Sequence, residues 1–95
     1  MTDSPAVTHN EAAHQFEIPN DEGRVLLRYA RRGDVLDLLH TEVADRFEGR
    51  GFGSALTRAA LDYARANHLE VVPTCPFVGK YLERHPEYDD LRAKP

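Results

Sequence analysis

The chain has no tryptophan, one cysteine and one methionine, and its first 23 residues contain neither lysine nor arginine. The single thiol, Cys75, excludes an internal disulfide framework and any zinc site built on several cysteines. No run approaches the roughly eighteen consecutive apolar residues that a membrane-spanning helix needs. The opening Met-Thr-Asp-Ser-Pro-Ala-Val-Thr-His-Asn lacks a basic segment followed by an apolar one. It does not read as a secretory signal, so the expected setting is the reducing cytoplasm. Basic excess is missing as well: twelve Lys+Arg against sixteen Asp+Glu give −4, no electrostatic footprint for nucleic acid. The imbalance sits at the front, where Asp3, Glu11, Glu17, Asp21 and Glu22 are unopposed. The rest of the chain holds twelve bases, ten of them Arg, against eleven acids. Ninety-five residues leave room for one core and one site.

Residues 1–13 are small, polar and acidic with no apolar period, which predicts a flexible lead-in before a single domain over 14–95. His14 to Ile18 alternates as a short strand, and Pro19-Asn20-Asp21-Glu22-Gly23 is a turn by composition. Arg24 to Ala30 alternates again, with Val25, Leu27 and Tyr29 on one face. Val35 to Val43 is apolar on both faces, Val35, Leu39 and Val43 against Leu36 and Leu38, which predicts a strand covered on both sides. Leu56, Ala59, Ala60, Tyr63 and Ala64 recur at helical spacing after a glycine-rich loop, with Ser54 as the expected cap. Leu69 to Pro73 is then a strand reached by a helical crossover, hence parallel to its neighbour. Val78 to Arg84 is a short helix that Pro86 stops. The expected fold is α/β with a small mixed sheet: three antiparallel strands, a crossover helix, a parallel strand and a short C-terminal helix.

Gly49-Arg50-Gly51-Phe52-Gly53 lies between a strand and a helix, a geometry that favours anions. Glycines let backbone N–H groups approach a phosphate, and the helix start adds free donors and the positive end of its dipole. The Rossmann fingerprint fails on spacing, and the P-loop fails for want of a lysine. A bare structural turn is the alternative reading of the same glycines.

The segment Val43 to Leu56 resembles motif A of the GCN5-related N-acetyltransferases, R/Q-x-x-G-x-G/A between the central strand and the next helix. Arg46-x-x-Gly49-x-Gly51 fits the letters, whereas Glu48-x-x-Gly51-x-Gly53 fits the position of the helix and is preferred. The preferred register sets an acid, Glu48, where the family has Arg or Gln, with Arg46 or Arg50 left to offset it. Four blocks extend the resemblance from Phe16 onward: His40-Thr41-Glu42-Val43, Phe47 to Gly51, Pro73 to Val78 and His85-Pro86-Glu87-Tyr88. They are similar to the minimal, YjdJ-type branch of stand-alone domains. The resemblance implies acetyl-CoA as cofactor, with its pyrophosphate on Gly49, Arg50, Gly51, Phe52, Gly53 and Ser54 and its pantetheine arm along Val43. It also implies an amine acceptor, of which the sequence names neither identity nor size. Larger members have two helices after their first strand that wall the acceptor site; here a five-residue turn stands instead.

Acetyl transfer needs a neutral amine, a polarised carbonyl and a protonated leaving thiol. Tyr81 falls where the family often carries the tyrosine that protonates that thiol, and otherwise reads as a core residue. Cys75, at the end of the last strand, reads as an acetyl-carrying nucleophile, a pocket residue or a small buried hydrophobe. His40 is the expected base for it, and Glu42 an alternative base through water. His40-Thr41-Glu42 with Pro73-Thr74-Cys75 has the outline of a zinc deaminase but lacks its second cysteine, so no metal is expected. The leading reading is an N-acetyltransferase; the alternative is an acyl-CoA-binding or protein-interaction module without effective catalysis.

Overall fold

A computed structural model describes residues 6–93. One five-stranded sheet holds β1 (Thr8–Asn10), β2 (Gln15–Glu17), β3 (Val25–Arg32), β4 (Val35–Val43) and β5 (Glu70–Val72), in chain order across the sheet. The first four pair antiparallel, and β5 joins β4 in parallel after the crossover helix α1 (Phe52–Ala66). A second helix, α2 (Pro76–Arg84), and a 3-10 helix over Pro86–Leu91 follow. The α/β mixed-sheet expectation holds, with one strand more than the sequence announces.

That strand lies in the stretch read as a flexible lead-in, of which residues 1–5 fall outside the described residues. Thr8–Asn10 has no hydrophobic alternation of its own; aromatic contacts made across the sheet hold it. The His9 ring stacks on Phe16 at 4.2 Å, meets Tyr63 edge-on at 4.5 Å, and sets Nε2 2.6 Å from the Tyr29 hydroxyl. Burial pushes the His9 pKa down, and the charge of Glu11 opposes only part of that. The fold therefore disfavours the protonated form of His9, while the unfolded chain takes up the proton near pH 6.5. Stability is accordingly expected to fall as pH drops below that value. Urea midpoints for wild type and His9→Phe, at neutral and mildly acidic pH, check this. An equal acid loss in both would clear His9 of the effect.

The core lies on one face of the sheet. Val25, Leu27 and Tyr29 from β3 and Leu36 and Leu38 from β4 meet Leu56, Ala60, Leu61 and Ala64 of α1, with Val78 and Leu82 of α2. Alanines at 60 and 64 bring α1 close to the strands. Asn67 then ends the helix, its amide side chain donating to the Tyr63 carbonyl at 2.9 Å, and His68 follows at φ +57°. Pro76 opens α2 where its missing N–H costs nothing, two residues before the expected start. The C-terminal segment packs back through Leu91 and Tyr88, and the Ala93 N–H donates to Val71 at 2.8 Å along the β5 edge.

The expectation that β4 is covered on both faces fails. Its outer face carries Asp37, paired with Arg32, and Glu42, near Arg24, while Leu39 is an exposed large apolar side chain. The strand also changes phase within its length, at a β-bulge. Arg28 pairs His40 but Tyr29 pairs Leu38, so Leu39 is an extra residue on β4. Every β4 side chain after it changes face: Thr41 and Val43 turn inward beside Leu38, and His40 and Glu42 turn outward.

Candidate functional site

The bulge and the end of the β4–β5 ladder open a cleft. Parallel pairing stops at Asp37 and Val72, and the Cys75 N–H donates to the Leu38 carbonyl at 2.9 Å as the last link. Past that point α2 replaces β5, leaving the Leu39–Val43 edge without a strand on that side. The cleft beside it has a volume of about 500 Å³. Thr41 and Val43 form the strand wall, Phe77 of α2 stands across, and Phe47, Glu48, Gly49, Gly51, Phe52, Gly53 and Ser54 form the head.

The head is built by glycine chemistry. Gly51 is the N-cap of α1 at φ +78°, a conformation that side chains with a Cβ resist. Helical backbone thus starts at Phe52, and Ser54 lies inside the first turn rather than capping it. The Ala55 N–H bonds the Gly51 carbonyl at 3.0 Å, while those of Phe52, Gly53 and Ser54 have no acceptor among the described residues. These are the free donors of a helix start, set at the mouth of the cleft. Gly53 carries no Cβ for a further reason: one would lie 2.9 Å from the Phe77 ring tip. The two glycines of the register Glu48-x-x-Gly51-x-Gly53 therefore each meet a distinct steric demand. The first register's Arg46 instead faces Glu22 across the β2–β3 turn at 3.8 Å, outside the cleft lining. Arg50 lies over the Phe47 ring at 5.9 Å and does not line the cleft either. Among the described residues, Glu48 is the one ionisable side chain that does.

Cys75 caps α2 and is only 5% exposed. Its Sγ lies 3.3 Å from the Thr41 hydroxyl. Burial raises the thiol's pKa, but the Thr41 hydroxyl and the N–H groups of Val78 and Phe77 outweigh it, leaving the thiol below its usual range. The expected Cys75–His40 pair does not form. His40, with a side chain 63% exposed, points away on the outer face with Nε2 3.8 Å from Glu42. The bulge is the cause, since without the extra Leu39 the histidine would share the face of Leu38. Tyr81 is not brought to the cleft: its ring is buried against His85 at 4.0 Å, where α2 meets the 3-10 helix. Burial raises its pKa, and the Arg58 charge pulls the other way. Thr41, Phe47 and Phe77 belong to the cleft without having been singled out as site residues. A signal for Thr41 was present in β4, whose inward apolar positions run even at Leu36 and Leu38 and odd at Val43. That change of phase marks a bulge.

A family model described as GCN5-related N-acetyl-transferase matches residues 15–91. The chain is 34% identical to Protein NATD1 of Xenopus tropicalis, over 84% of this chain and 76% of that one. It is 33% identical to human Protein NATD1, over 84% of this chain and 74% of the relative. The solution structure of a GCN5-like protein from Staphylococcus aureus superimposes with a TM-score of 0.75 at 26% identity, covering 99% of this chain and 93% of that one. The match spans the cleft, both helices and four of the five strands, and on these grounds the chain belongs to the family of GCN5-related N-acetyl-transferases.

Proposed function

We propose that the cleft binds acetyl-CoA and that the chain passes the acetyl group to an amine. The carrying observation is the row of unengaged N–H groups on Phe52, Gly53 and Ser54, set at the head of a cleft whose wall is an unpaired strand edge. Such donors suit a pyrophosphate, and an open strand edge suits the amide-bearing pantetheine arm. In this reading Gly49 to Ser54 hold the pyrophosphate and Val43 the arm, while Thr41 and Cys75 stand at the thioester end. Glu48 opposes phosphate binding by its charge, so the backbone donors carry most of the attraction.

Cys75 then serves as the acyl carrier. Its lowered pKa supports this role, and among the described residues the one ionisable side chain lining the cleft, Glu48, belongs to the glycine loop at its head. Wild-type protein mixed with acetyl-CoA is expected to gain one acetyl mass that Cys75→Ser does not gain, read by intact mass alongside calorimetry. Absence of saturable binding to wild type would overturn the cofactor reading itself.

The turned-away Tyr81 and His40 favour a second reading, an acyl-CoA-binding module without effective catalysis. Saturable binding with neither adduct nor product across a panel of amines would establish it.

A further inference from the structure

We infer that Thr41 is the positioning residue through which the cleft reaches the Cys75 thiol. The inference rests on the functional reading above and adds to it a role for Thr41, a residue outside the glycine loop. Thr41 lines the cleft, whereas Cys75 lies behind it, and the Thr41 hydroxyl is 3.3 Å from Sγ. The bulge at Leu39 makes this contact possible by turning Thr41 inward in the place where His40 was expected.

Among the described residues, the partners of the sulfur are all uncharged. On β4, His40 and Glu42 pair with each other on the outer face, where Asp37 engages Thr74 and Arg32. On α2, Tyr81 lies against His85, and its charged neighbours are Arg58, Glu87 and Asp62. Glu48 belongs to the glycine loop at the head of the cleft. Neutral donors therefore govern the thiol: the Thr41 hydroxyl, and the amides of Val78, Phe77 and Thr41. A hydroxyl that donates to the thiolate stabilises it and fixes the direction of its remaining lone pairs.

In the covalent step the Cys75 thiolate attacks the carbonyl carbon of the acyl thioester. A bond forms from Sγ to that carbon, and the bond from the carbon to the coenzyme sulfur breaks. The departing thiolate takes up the proton that Cys75 released. One acyl group and one proton change places between two thiols, so no oxidant or further reactant is needed.

Thr41→Val keeps the shape of the side chain without the hydroxyl, and Thr41→Ser keeps the hydroxyl. Methyl methanethiosulfonate, which needs no coenzyme, reports the Cys75 thiolate by intact mass across a pH series. The midpoint is expected to rise by about one pH unit in Thr41→Val, roughly a tenfold loss of thiolate below it, and to return in Thr41→Ser. At saturating acetyl-CoA, acetyl adduct formation should slow about tenfold in Thr41→Val and recover in Thr41→Ser. Thermal melts establish that each variant folds, and Thr41→Ala carries the comparison if Thr41→Val does not. An unchanged midpoint, or an unchanged adduct rate, overturns the inference. Failure of coenzyme A to bind wild type counts against the functional reading alone, because the thiol titration still decides the role of Thr41.

Discussion

Gly51→Glu is expected to abolish measurable binding of coenzyme A while leaving the protein folded. The new carboxylate would stand at the first turn of α1, among the free N–H groups of Phe52, Gly53 and Ser54. Two like charges about 4 Å apart near a protein surface repel by up to about 4 kcal/mol, so a loss of roughly 100-fold or more follows. The side chain also competes for the same donors, since a carboxylate at a helix start is itself a favourable ligand. Backbone strain at φ +78° adds a stability cost of about 1–2 kcal/mol. Gly51→Ala separates the two effects. Its Cβ meets nothing within 4 Å, so it carries the strain without the charge and should keep most of the affinity. Calorimetric titration of both variants decides the matter, and comparable affinity in Gly51→Glu and wild type would remove the cradle from the account.

Gly23→Ala is expected to produce the larger loss of stability, about 2–4 kcal/mol, or a fall in Tm of at least roughly 10 °C. Gly23 sits at φ +153° in the β2–β3 turn, and an added Cβ would lie 2.6 Å from the Cβ of Ala44. Neither atom is the tip of a flexible side chain. Ala44 is held as well, its N–H bonded to the Arg24 carbonyl at 2.8 Å. Relief requires the turn to lift off the end of β4. Gly49→Ala is the matched control, because its φ is +79° but its Cβ would meet nothing within 4 Å. It should cost only about 1 kcal/mol. Thermal unfolding of the pair measures the close approach directly; equal losses would mean that the turn yields freely.

Both predictions concern glycines, and both show how far local chemistry carries. A glycine loop between strand and helix is legible because the residue types needed for left-handed backbone and free amides are few. The Gly51/Gly53 register is recoverable for the same reason: the helix has to start where its apolar period starts. The glycine at 23 is legible only as part of a turn. Its closest would-be neighbour, Ala44, is 21 positions away and reaches it through the β3–β4 pairing.

The chemistry-bearing side chains divide along the same line. Cys75 between the last strand and α2, and Val43 at the open edge, lie where the order of elements puts them. His40 and Thr41 exchange roles because one residue is inserted in β4 opposite β3. Tyr81 leaves the cleft because the turn of α2 that carries it faces α1 and the C-terminal 3-10 helix. Thr8–Asn10 becomes a strand because His9 finds Phe16, Tyr29 and Tyr63, three partners on three other elements.

The sequence by itself determined the α/β class, the order of strands and α-helices from β2 onward, the parallel return to β5 and the glycine loop ahead of α1. Each depends on periodicity or on the stereochemistry of one or two residues, and both act within a few positions along the chain. Only the tertiary structure decided which face of β4 each side chain takes and which donors reach Cys75. Strand register is a property of two strands together, and with a side-chain period of two, one extra residue exchanges inside for outside.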